Sequence, residues 1–192
     1  MLKCTDKTHV MNKWIINETE TLLSTPIGKF CSTRKTDPSG TERKYVSMKA
    51  PGWVCAIVQF EDKPNEFLMV KLFRHGINQE VVEFPSGMVD DGESALQALR
   101  RELKEELGID CENIVSLTEL YSASPNPAFM DNKMTCYFAV INGYGTNNPD
   151  EDEFLESEIV SAEKMGNIVS ADNYNVMMRF AWERAIYLGL IK

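Results

Sequence analysis

Glu102, Glu105 and Glu106 stand together in the segment GESALQALRRELKEELGI, and their spacing decides what they can do. At about 100° per residue, a helix brings all three carboxylates onto one arc of about 100°. Leu96, Leu99, Leu103 and Leu107 form an adjoining apolar stripe. Ala95 and Ala98 share the acidic arc, where small side chains are expected to leave room for approach to the carboxylates. The like-charge pair Glu102 and Glu106, at i and i+4, costs a few tenths of a kcal/mol, roughly, and Arg101 beside it can offset part of that. On an arbitrary acidic helix such residues form a solvated face. Acids that border a core stripe suit a hard cation better: Mg²⁺ takes oxygen ligands, keeps several waters and needs only a few carboxylates.

Other elements must position that helix. Ser94 with Gln97 makes a capping box and Gly108 is a natural residue beyond the last turn, so the helix is expected over about Ser94–Leu107. A loop over Pro85–Gly92 leads into it. Trp53–Phe60 and Glu66–Phe73 are rich in Val, Ile, Leu and Phe and read as buried strands, followed by a short strand over Glu80–Phe84. Further strands are expected at Ile114–Tyr121, Met134–Ile141 and Phe154–Val160. A closing helix near Asn173–Tyr187 is expected to turn Val176, Met177, Phe180 and Ala181 to one face. Upstream, Lys29–Thr36 and Arg43–Lys49 read as a hairpin around Asp37-Pro38-Ser39-Gly40. Pro51-Gly52 punctuates the chain, dividing a β extension at 1–50 from a larger domain at 51–192. Strands mixed with two or three helices indicate an α/β or α+β fold.

Composition narrows the function. The 192 residues with 43% apolar content can build a core, and a charge of −9 disfavours nucleic acid or an anionic membrane as partner. No run of eighteen apolar residues is present, so no membrane span is expected. MLKCTDKTHVMNKWIINE has no apolar stretch of the signal-peptide kind, and its first ten residues read as a loose terminus. The five cysteines are scattered and odd in number, which suggests reduced thiols in a cytoplasmic protein. Two histidines are too few for a His-based metal cluster.

The segment from Gly87 to Ile109 follows G-x5-E-x7-R-E-U-x-E-E-x-G-U, where U is bulky and aliphatic. Gly87, Glu93, Arg101, Glu102, Leu103, Glu105, Glu106, Gly108 and Ile109 occupy its positions. This pattern resembles the signature of the Nudix hydrolases. The resemblance implies an α/β/α sandwich around a mixed sheet, preceded here by a small antiparallel N-terminal β extension. It implies Mg²⁺- or Mn²⁺-dependent hydrolysis of a nucleoside diphosphate linked to another moiety. By the same resemblance, Glu102 and Glu106 are the principal metal ligands, assisted by Glu105 and the Ser86 carbonyl. Arg101 orients the carboxylates, Glu93 supports the loop or the metal shell, and Gly87 and Gly108 serve the backbone.

Three features resemble the ADP-ribose and nucleotide-sugar pyrophosphatases within that family. Pro125 lies sixteen residues after Ile109, Glu83-Phe84-Pro85-Ser86-Gly87 resembles their entry into the signature, and Phe73-Arg74 places an arginine where a phosphate is bound. In that subfamily a general base and a further metal ligand come from an acidic loop, which here implicates Glu151 and Glu153 within Asp150–Glu153. The N-terminal extension there often exchanges between the subunits of a homodimer and adds to the substrate pocket. Trp14, Ile27, Phe30 and Trp53 are candidates to meet a base, although core or interface is the ordinary role for such residues. The resemblance thus implies ADP-ribose or a related nucleotide sugar as substrate. The alternatives are other substrates, such as UDP- or GDP-sugars or diadenosine polyphosphates, and a non-catalytic nucleotide-sugar sensor.

Overall fold

The computed structural model describes residues 13–148 and 154–191. Internal packing divides the chain into two units, residues 1–50 with 126–131, and residues 51–125 with 132–192. In the first, β1 (Ile15–Thr25), β2 (Gly28–Thr36) and β3 (Glu42–Lys49) form an antiparallel sheet with β2 in the middle. The β2–β3 hairpin turns where its sequence demands: the Asp37 carboxylate accepts from the Ser39 and Thr41 N–H groups at 2.9 and 3.0 Å. The Ser39 hydroxyl, then Arg43 and the Thr41 N–H, hold the Asp37 carboxyl far below its usual range. β1 has no counterpart in the sequence reading. Its apolar residues Ile15, Ile16, Leu22 and Leu23 come in adjacent pairs and stay exposed, so no alternation marks the strand.

The second unit is built on β4 (Trp53–Phe60), β5 (Glu66–Arg74), β6 (Gln79–Glu83), β7 (Ser86–Met88), β8 (Ile114–Ala123), β9 (Met134–Ile141) and β10 (Leu155–Ser161). They form one mixed sheet in the order β10-β5-β4-β9-β8, with β6 paired to β5 and β7 to β4. Only β4 and β9 run parallel. Successive side chains alternate between faces, and both faces are covered. Cys55, Ile57, Phe67, Met69, Cys136 and Phe138 point into one core with α2 (Ala162–Ser170) and α3 (Val176–Tyr187). Val54, Ala56, Val58, Leu68, Val70, Tyr137 and Ala139 point into the other with α1 (Ala95–Leu107). The result is an α/β/α sandwich. The described cysteines, Cys31, Cys55, Cys111 and Cys136, are free.

Three details differ from the sequence reading. The Pro85–Gly92 stretch is not all loop, since β7 pairs antiparallel with β4. α3 buries Met178, Ala181, Trp182 and Ala185, while Val176 and Phe180 are exposed. Its sequence is apolar on nearly every side, so periodicity could not select the buried face. On α1, Leu99, Leu103 and Leu107 are buried but Leu96 is 37% exposed. Ala98 is fully buried with the core leucines, so its small side chain permits close helix–sheet packing and does not open a path to the carboxylates.

The helix itself starts and stops as its caps dictate. The Ser94 hydroxyl accepts from the Gln97 N–H at 3.3 Å while the Gln97 side chain accepts from the Ser94 N–H at 2.9 Å. Gly108 closes it in the left-handed conformation, φ 65°. There a Cβ would lie 2.6 Å from the Thr146 carbonyl oxygen. We expect Leu103→Ala to cost about 3 kcal/mol, a cavity in the core, and Leu96→Ala less than about 1 kcal/mol. Urea denaturation of the two variants checks this; equal losses would mean that α1 presents a different face to the sheet.

Candidate active site

Glu102 and Glu106 project from α1 toward β7, the strand that precedes the helix. Both are buried, 9% and 4% exposed. Glu102 lies so close to Gly87 that a Cβ on that glycine would fall 1.8 Å from a carboxylate oxygen. Glycine is therefore required here for space. Glu106 accepts a hydrogen bond from the Ser86 N–H at 2.9 Å. That bond is available because β7 is held against β4, with Ser86 opposite Cys55 and Gly87 opposite Val54.

Arg101 ties the remaining acids together. Its Nη1 donates to Glu102 at 2.7 Å and Glu105 at 3.1 Å. Its Nε and Nη2 donate to the two Glu93 oxygens at 3.2 and 3.0 Å, and Nη2 also reaches the Met88 carbonyl at 2.9 Å. One guanidinium thus bridges the loop before the helix and the helix itself, which a lysine's point charge could not do. The hydrogen bond to Glu93 raises the Arg101 pKa against the opposing effect of burial, and the Glu102 and Glu105 contacts add to it. In return Arg101 holds the Glu93 carboxyl below its usual range, helped by the Asp90 N–H.

The third cluster is Arg74, Glu83 and Ser86. Arg74 Nε donates to Glu83 at 2.8 Å and Nη2 approaches the Ser86 hydroxyl at 3.4 Å. Glu83 is a buried carboxylate that sequence reasoning did not place in the site. Its one signal was its position at the head of Glu83-Phe84-Pro85-Ser86-Gly87.

The structure therefore brings together Arg74, Ser86, Gly87, Glu93, Arg101, Glu102, Glu105 and Glu106 through adjacent segments. Gly108 and Ile109 sit at the far end of the helix, where the Ile109 N–H donates to the Leu103 carbonyl. Pro125 stands in the bend after β8 and makes none of the hydrogen bonds that gather the others. The acidic run with Glu151 and Glu153 lies outside the described residues. On one flank of it the Asn148 N–H donates to the Glu105 carbonyl at 2.8 Å; on the other, Leu155 pairs with Leu72 of β5. Trp14, Ile27 and Trp53 are exposed, and Phe30 packs against Phe129 at 6.1 Å.

The donors here are carboxylate and carbonyl oxygens, the set a hard divalent cation takes. The crease at Gly87, which a Cβ would fill, leaves the Glu102 carboxylate against bare backbone. Among the described residues no three His, Cys, Asp or Glu side chains converge as a finished cage. We expect Gly87→Ala to fold but to displace the Glu102 side chain, which a crystal structure of the variant would show directly. An unmoved Glu102 would mean that the backbone, not the carboxylate, yields.

Comparison with known proteins follows this geometry. A family model described as the NUDIX domain matches residues 48–180. The ADP-ribose pyrophosphatase of Bacillus subtilis is 28% identical over 149 residues, 75% of this chain and 77% of that protein. A methanol dehydrogenase activator of Bacillus methanolicus is 31% identical over 121 residues, 62% of this chain and 63% of that protein. The crystal structure of an ADP compounds hydrolase has the same fold, with a TM-score of 0.73 and 22% identity, covering 93% of this chain and 97% of that one.

Proposed function

The chain belongs to the NUDIX hydrolase family, and from that premise we propose that it hydrolyses the pyrophosphate bond of ADP-ribose or a related nucleoside diphosphate sugar, in the presence of Mg²⁺ or Mn²⁺. The products are a nucleoside monophosphate and a sugar phosphate. The observation that carries this reading is the pair of buried carboxylates, Glu102 and Glu106, seated against the backbone of Ser86 and Gly87. The similarity to the Bacillus subtilis ADP-ribose pyrophosphatase supports the choice of substrate class.

The roles follow from the chemistry of each group. Glu102 and Glu106, with Glu105 and the Ser86 carbonyl, would hold the cation. When bound, such an ion neutralises charge on the bridging phosphates and makes water a better nucleophile at neutral pH. Arg101 orients the carboxylates, with Nη1 donating to both Glu102 and Glu105. Arg74 binds a phosphate oxygen. Glu93 keeps the loop 88–93 on the helix through Arg101. A general base is still required, and Glu151 and Glu153 are assigned to that role and to a further ligand position. Pro125 shapes the bend that borders the substrate.

The N-terminal unit, residues 1–50, is read as a dimerisation extension that completes the substrate pocket of a homodimer. The apolar residues that β1 leaves exposed, among them Ile16 and Leu23, support that assignment. Residues 51–192 form the hydrolase domain. Free cysteines fit a cytoplasmic setting. No helix among the described residues is long and apolar enough to cross a membrane.

Phosphate release after coupled phosphatase treatment, compared across ADP-ribose, UDP-glucose, GDP-mannose and diadenosine polyphosphates, tests the substrate class. ADP-ribose is expected to lead, and a preference for diadenosine polyphosphates would overturn the sugar reading. Glu106→Gln is expected to lower kcat by about a hundredfold or more while the melting temperature holds. Turnover near that of the parent would remove Glu106 from the ligand set. Glu151→Gln and Glu153→Gln, assayed singly, separate the base from the ligand: loss of the base flattens the acid limb of the pH–rate profile, and loss of a ligand raises the metal concentration needed.

A further inference from the structure

We propose that Glu83 is a positioning residue that holds the Arg74 guanidinium ready as a diphosphate clamp. The inference rests on the pyrophosphatase reading above and deepens it. Glu83 ends β6, and its side chain is only 5% exposed. A buried carboxylate needs a charged partner, and among the described residues Arg74 is the cation paired with it. The pairing is one-sided. Arg74 directs both Nε, at 2.8 Å, and Nη2, at 2.7 Å, to the same oxygen, Oε2.

That geometry commits one edge of the guanidinium inward. Nη2 also reaches the Ser86 hydroxyl at 3.4 Å, and the Ser86 N–H in turn donates to Glu106. Ser86 thus touches Arg74 through its hydroxyl and Glu106 through its N–H. Nη1 meets no acceptor among the described residues, and the Arg74 side chain is 39% exposed. The free edge faces outward, toward whatever anion arrives.

Register sets this up. β5 and β6 pair antiparallel with Arg74 opposite Gln79 and Val70 opposite Glu83, so Arg74 must reach back along its own strand to meet the carboxylate. A free arginine is long and rotamer-rich, and ordering it costs binding free energy at the moment a ligand docks. Glu83 removes that cost in advance. It also partly neutralises the charge that Arg74 offers, so the arrangement trades strength of attraction for placement.

The test uses the full chain, with ADP-ribose and Mg²⁺, and compares the parent with Glu83→Gln, Glu83→Asp, Arg74→Lys and the double variant Glu83→Gln/Arg74→Lys. Glu83→Gln is expected to raise KM about tenfold, with kcat changed by less than about threefold, as befits a lost charge-assisted bond on a binding group. Glu83→Asp keeps the charge but withdraws it, and the same rise in KM is expected; it also guards against a Gln variant that fails to fold. The double variant is expected to be no worse than Arg74→Lys, because both changes act through one group. A purely structural Glu83 would lower the melting temperature and the amount of active enzyme without moving KM. An unchanged KM in a folded Glu83 variant, or losses that multiply in the double variant, would overturn the positioning role while the pyrophosphatase reading stands. A parent enzyme that cleaves no nucleoside diphosphate derivative would overturn both.

Discussion

Two buried glutamates packed into one crease govern this structure. Glu102 and Glu106 are one helical turn apart and both buried. Removing carboxylates from water is costly unless hydrogen bonds and opposite charge replace the lost solvation. The chain supplies replacements that are built into the backbone as much as into side chains: the Ser86 N–H on Glu106, and Arg101 on Glu102. Under the proposed function, a divalent ion would add to that compensation.

Everything that fixes α1 against the sheet serves that crease. Leu99, Leu103 and Leu107 bury one side of the helix against Val54, Ala56, Val58, Tyr137 and Ala139 of β4 and β9. With the helix thus fixed in rotation, Glu102 and Glu106 can point only toward β7. The short β7 strand is three residues long, yet its pairing with β4 is what presents the Ser86 amide and the bare Gly87 Cα to the carboxylates. Glycine at 87 is thus a steric requirement imposed by Glu102, and glycine at 108 a conformational one imposed by the end of the helix.

How much of this was legible in the sequence depends on the kind of signal. β4 and β9 were readable end to end because both of their faces are buried, and a run of apolar residues then marks the strand without ambiguity. The limits of α1 were readable because capping is local chemistry, a serine, a glutamine and a glycine at set spacings. α3 was readable as a helix but not in its orientation, since Val176 and Phe180 are as apolar as the Met178 and Trp182 that it buries. β1 was invisible because its residues stay exposed among the described residues, and burial is what writes alternation into a strand. Glu83 escaped for a related reason. A buried acid and a surface acid are the same letter, and only the β5–β6 register shows which one this is.

The acidic character of the chain bears on its chemistry through these same residues. A protein of charge −9 repels a diphosphate at long range, so attraction must come from short-range groups at the site. Its two arginines there are used in opposite ways. Arg101 is engaged by the site itself, with Glu93, Glu102, Glu105 and the Met88 carbonyl taking up its donors, and so contributes order to the carboxylates but little charge to a ligand. Arg74 is turned half inward, anchored along one edge and open along the other. Under the proposed function, the positive charge that an anionic substrate meets would come from that open edge and from a bound cation together. On the same reading, binding would then depend on the metal, and the metal's own affinity on carboxylates that Arg101 orients.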